Sequence, residues 1–133
     1  MALFHLQIVT PDKLIYDGQA EKLIVRAVTG DVCILARHID YAVPLDIGKA
    51  QVTDEKGNTR LAACNGGFLS VSGGEARLMP ITFEWADEIN VERAKAAKEK
   101  AEKALTETRK DEAAYAVLEA KLKRALLRIE TRG

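Results

Sequence analysis

Ile89-Asn90-Val91-Glu92-Arg93-Ala94 opens the stretch whose reading decides the fold. From Asp87 to Arg132 the chain contains neither Gly nor Pro and is rich in Ala, Lys, Glu and Arg. Upstream of it, short apolar alternations are interrupted by Gly or Pro every several residues. The change near residue 86 divides the chain into a β-domain over residues 1–86 and a charged helical tail over residues 87–133. A β-domain with such a tail suits a part of a larger assembly.

Two periodic stripes run through the tail. Ala94, Ala97, Ala101, Ala104 and Leu105 fall on one helical face, with Lys95, Lys98, Glu99, Glu102 and Lys103 elsewhere. Leu118, Leu122, Ala125 and Ile129 recur at i, i+4, i+7 and i+11. Between the stripes, Thr106-Glu107-Thr108-Arg109-Lys110-Asp111 is polar and offers Thr108 and Asp111 as caps for a second helix. Asn90 is suited to cap the first. The two helices form an antiparallel hairpin or, if the linker straightens, one long rod. Ala stripes bury little area, and at roughly 25 cal/mol per Å² they hold each other weakly. A second arrangement of the helices is therefore within energetic reach.

The first two thirds obey a shorter period. Phe4, Leu6 and Ile8 alternate with His5, Gln7 and Val9 before a turn at Thr10-Pro11-Asp12. Leu23 to Val28 is a second strand, ending at Thr29-Gly30-Asp31. Val32-Cys33-Ile34-Leu35 is wholly apolar, as expected of a strand buried on both faces. The Pro of Val43-Pro44-Leu45 places that segment at an edge or bend. Hairpins are predicted about Asp54-Glu55-Lys56-Gly57-Asn58 and about Ser72-Gly73-Gly74-Glu75. Gly66-Gly67 marks a bulge or a close backbone approach and not a phosphate loop, because no helix follows it. Trp85 reads as a packing residue at the junction with the tail. Short strands with a turn every 8–12 residues indicate a β-sandwich or barrel.

Composition narrows the function. The net charge is zero, from 20 basic and 20 acidic residues, and aromatics make up 5% of the chain. Neither favours a nucleic-acid partner. Residues 87–133 hold 22 of those 40 charges, which without further context read as a solvated helix face. No run of 18 apolar residues is present, and the N-terminus has no secretory pattern, so a membrane would be reached through a protein partner. For Cys33 and Cys64, free buried thiols are favoured over a disulfide. His5 and His38 have no partner spacing, and no Ser/His/Asp constellation, metal cluster or P-loop occurs, so catalysis finds no support. An enzyme would need Cys64 as its nucleophile.

Several segments, in order, resemble the epsilon subunit of the F-type ATP synthase in its bacterial form. They are Val9-Thr10-Pro11 with Ile15-Tyr16-Asp17-Gly18; then Ile34-Leu35, His38, Val43-Pro44-Leu45 and Gly48; then Asn65 to Val71; and finally Ile89 to Ala94. The resemblance covers essentially the whole length. It implies an α+β protein with an N-terminal antiparallel β-sandwich of about ten strands, followed by a C-terminal two-helix hairpin. It further implies a non-catalytic rotor subunit of a proton- or sodium-translocating ATP synthase, peripheral to the cell membrane on its cytoplasmic side. The sandwich would bind the gamma subunit of the central stalk and the ring of membrane subunits. The tail would lie folded or extend toward the alpha and beta subunits of the catalytic head, where it blocks ATP hydrolysis. The alternative is a β-domain with a helical hairpin acting as an adaptor or chaperone.

The resemblance also assigns site residues. No cofactor is obligatory, and ATP is a candidate regulatory ligand at Glu84, Asn90, Arg93, Ala94, Lys100, Arg124 and Arg128. Arg supplies forked donors to a triphosphate. Asn90 stands where the family usually has Asp, and Lys100 where its strong binders have Arg, which implies ATP binding that is retained or weakened. Asp31, Arg37, His38 and Asp40 are the interface candidates for ring and stalk, in a segment where Cys33, Ala36 and Asp40 replace the usual Gly and Pro residues.

Overall fold

The computed structural model describes residues 2–132 and divides into two units, the first ending at Trp85 and the second beginning at Ala86. The first is built of nine strands: β1 (Phe4–Val9), β2 (Leu14–Ala27), β3 (Gly30–Ile34), β4 (Tyr41–Pro44), β5 (Ile47–Asp54), β6 (Thr59–Asn65), β7 (Phe68–Ser72), β8 (Glu75–Met79) and β9 (Thr82–Trp85). They follow one hydrogen-bonded path, β4-β7-β8-β1-β2-β5-β6-β9, with β3 paired to β2. The path folds over a single core, to which its two halves contribute Leu6, Ile8, Leu69 and Leu78 on one side and Leu23, Val25, Val52 and Phe83 on the other.

β2 joins the halves. Its residues from Leu14 to Ala20 pair with β1, those from Ala20 to Ile24 pair with β5, and the register breaks between Ala20 and Lys22. Ala20, fully buried, is the small side chain at that passage. The sequence showed only the second half of this strand, and one continuous β2 serving both halves lowers the strand number from about ten to nine. All pairings are antiparallel except β1 with β8, which run parallel with Leu6 opposite Ala76.

Local chemistry sets the turns. Asp54 Oδ1 accepts hydrogen bonds from the N–H groups of Lys56 and Asn58, both at 2.9 Å, which closes the β5–β6 hairpin. Pro44 ends β4, an edge strand in keeping with its missing donor. β3 differs from expectation. It pairs only with β2 and its side chains alternate, so Asp31 and Cys33 point outward. Cys33 is exposed, Cys64 is buried, and both are free. Leu35 lies just past the strand, 51% exposed. Trp85 belongs to β9, packed edge-on against Phe83 with the Arg60 guanidinium 3.9 Å above its ring.

The second unit starts with a short 3-10 turn at Ala86–Glu88, followed by α1 (Val91–Thr106) and α2 (Ala113–Arg132). The helices form the antiparallel hairpin, not the rod. Asn90 caps α1 as its sequence position suggested: its amide oxygen accepts the Arg93 N–H at 3.0 Å. Thr108 does not cap α2. Its hydroxyl donates back to the Ala104 carbonyl at 2.8 Å and satisfies the end of α1 instead. Asp111 lies outside α2 and faces Arg109 at 3.5 Å. At the other end of the unit, Arg132 Nη1 donates to the Ala86 carbonyl at 3.1 Å.

Candidate functional site

One face of the hairpin carries a groove of ≈ 360 Å³ lined by Ala97, Lys100, Ala101, Ala104, Leu118, Lys121, Arg124 and Arg128. Helical spacing explains its composition. Ala97, Ala101 and Ala104 recur along α1, and their short side chains leave space between the two helices. Lys121, Arg124 and Arg128 recur at three and seven residues along α2 and bring three cations to the same opening. Lys100 adds a fourth from α1, and no carboxylate is among the lining residues. The opening thus gathers four cationic side chains over a floor of Ala and Leu. The volume falls within the roughly 300–1,000 Å³ usual for small-molecule sites.

Of the seven residues assigned to ATP from the sequence, Lys100, Arg124 and Arg128 line this groove. Asn90, Arg93 and Ala94 sit together at the start of α1. Asn90 spends its amide oxygen on the cap, the Ala94 N–H bonds the Asn90 carbonyl at 3.0 Å, and the Ala94 side chain is buried. Arg93 is exposed. Glu84 belongs to the first unit, in β9 opposite Ala63. Lys121 escaped the sequence reading. Its spacing to Arg124 and Arg128 was visible, but the face it shares with Lys100 is defined only once the hairpin has closed.

The four interface candidates fall in two places. Asp31 is at the start of β3, paired with Arg26 Nε at 2.9 Å. The others follow the opposite end of β3. Arg37 is exposed with φ 66°, a left-handed conformation that non-glycine residues seldom hold. His38 Nδ1 contacts the Ile39 carbonyl at 2.7 Å, and its ring tilts against Tyr41. Asp40 Oδ1 accepts the Gly73 N–H at 3.0 Å, which ties the loop to the β7–β8 turn. Between them Ile39 is 76% exposed.

Two other groups bear on chemistry. His5 bridges Asp17 on β2 and Glu75 on β8, and its hydrogen bond to Asp17 raises its pKa above the ordinary 6.5. Burial pushes the Cys64 thiol up to about 12. At neutral pH Cys64 is therefore a thiol and not a thiolate, which removes the nucleophile an enzyme would have needed. Among the described residues no group of three or more His, Cys, Asp or Glu could hold a metal ion. No helix among them is long and apolar enough to cross a membrane.

A β-sandwich continued by a helical hairpin defines a class: a two-part chain made of a β-domain and a helical appendage. Within that class, the chain belongs to the ATP synthase delta/epsilon chain family, a family of non-catalytic subunits. Residues 3–86 match its beta-sandwich domain and residues 87–133 its long alpha-helix domain. The ATP synthase epsilon chain of an Exiguobacterium species is 36% identical over 132 residues, 99% of this chain and 97% of that one. That of Alkaliphilus oremlandii is 44% identical over 103 residues, 77% of this chain and 76% of that one. The fold is also that of a chain in the Euglena gracilis mitochondrial ATP synthase, with a TM-score of 0.80 at 24% identity, covering 92% of this chain and 77% of that one.

Proposed function

We propose that the chain is a rotor subunit of the F-type ATP synthase, coupling the gamma subunit of the central stalk to the ring of membrane subunits. It sits peripherally on the cytoplasmic side of the membrane, in a complex driven by protons or sodium ions. The hairpin is the regulatory element. Folded, it leaves rotation free. Extended, it reaches the alpha and beta subunits of the catalytic head and blocks rotation in the hydrolysis direction.

The groove carries this reading, because its cations come from both helices. Separating α1 from α2 dismantles the site, so an anion that fills it favours the folded hairpin. ATP is such an anion. A ligand held at a hundred times its Kd stabilises the state it binds by roughly 2.7 kcal/mol, and it shifts nothing if both states bind it equally. Weakly packed Ala faces make a bias of that size decisive. When ATP falls, the hairpin is released to extend and hydrolysis stops.

Removal of residues 87–133 from the assembled complex tests the brake. ATP hydrolysis should rise while synthesis and assembly persist. An unchanged hydrolysis rate in a complex that still synthesises ATP would sink the reading.

A further inference from the structure

We propose that Arg132 is a clasp: it fastens the end of α2 to the turn that begins the tail, and so sets how readily α2 leaves α1. The inference rests on the reading of the hairpin as a brake and names a contact that holds it folded.

The contact joins residues 46 positions apart. Arg132 stands in the last turn of α2, and its Nη1 donates to the Ala86 carbonyl at 3.1 Å. Ala86 opens the 3-10 turn that leads into α1. The same carbonyl accepts the Ile89 N–H at 3.3 Å, which closes that turn. One oxygen thus accepts two donors, one from each end of the tail. Burial follows the same pattern. Leu127 and Thr131, one helical turn apart on α2, are buried, as are Ile89 and Ala94 on either side of the start of α1. The other end of the hairpin differs, since Arg109, Lys110, Asp111 and Glu112 in the connection are all exposed. Along the seam α1 contributes Ala97, Ala101 and Ala104, short side chains that bury little area. Against so thin a seam, one hydrogen bond from a charged donor weighs in the balance between folded and open.

Amide hydrogen exchange of the full chain and ATP hydrolysis by the assembled complex test it together. Arg132→Ala should speed exchange along α2 from Leu118 to Leu126 about fivefold, the loss expected for one such hydrogen bond. Exchange reports the opening because a helix that leaves its partner loses the packing that sustains it. Strands β1 and β8 should exchange at wild-type rates. Lys110→Ala, which removes the same charge from the connection, should leave exchange from Leu118 to Leu126 unchanged. Where half of the wild-type complexes are braked, a shift of about fivefold toward the open hairpin should lower hydrolysis about threefold. Faster exchange confined to the last turn of α2, as loss of a favourable helix-end charge alone would give, would overturn the inference. So would unchanged exchange. Faster exchange along α2 with unchanged hydrolysis would overturn it too, provided that removal of residues 87–133 still raises hydrolysis. If that removal changes nothing, the brake reading has failed, and the inference with it.

Discussion

Asn90 shows how one side chain can serve the hairpin whether or not it serves a ligand. Its amide oxygen accepts the Arg93 N–H, and its carbonyl accepts the Ala94 N–H, so two donors at the start of α1 end on this residue. Asn and Asp are nearly equivalent as caps, and the loss of a cap to Ala costs about 1 kcal/mol. The family's usual Asp would add a favourable charge at the helix N-terminus, worth about 0.3–1 kcal/mol. Asn90→Ala should therefore lower the stability of the full chain by about 1 kcal/mol, and Asn90→Asp should leave it equal or slightly higher. Thermal unfolding followed by helical circular dichroism checks both. An Asn90→Ala variant as stable as wild type would show that α1 does not depend on this cap.

At the scale of elements, the connection between β6 and β7 is a close backbone approach. Gly67 has φ +92°, and a Cβ there would lie 2.1 Å from the Met79 carbonyl oxygen. Gly73, in the β7–β8 turn, has φ +59° but nothing within 4 Å of its Cβ position. Gly67→Ala should destabilise the chain by more than about 2 kcal/mol, while Gly73→Ala should cost only the left-handed backbone penalty of about 1 kcal/mol. Urea unfolding separates the two, and equal losses would contradict the close approach.

These turns were legible because their causes are local: an Asp that caps its own turn, and glycines where L side chains do not fit. The alternation of β1 and the stripes of both helices were legible for the same reason. The first half of β2 was not, since no residue from Leu14 to Gln19 is fully buried and its place depends on β1 opposite. The parallel pairing of β1 with β8 joins segments some seventy residues apart and leaves no mark on either alone. Cys33 looked buried because its neighbours are apolar, but an edge strand exposes every second side chain. Within the candidate site, Lys100, Arg124 and Arg128 were named through the family resemblance. Lys121 needed the closed hairpin to distinguish it from the other lysines of the tail.

On the scale of the whole molecule, a neutral chain divides its labour between a sandwich with a continuous apolar core and a tail holding more than half of the charge. The tail has an Ala-lined seam and a groove whose cations come from both helices, the two features on which the proposed switch rests. The decisive measurement is ATP hydrolysis by the assembled complex across a range of ATP concentrations. Three forms should be compared: wild type, Arg124→Ala with Arg128→Ala, and the chain without residues 87–133. Wild type should be suppressed at low ATP and released as ATP rises. The double variant should stay suppressed at concentrations that release wild type, and the truncated form should never be suppressed. A double variant that follows the wild-type ATP dependence would contradict the assignment of the groove as the sensor of the brake.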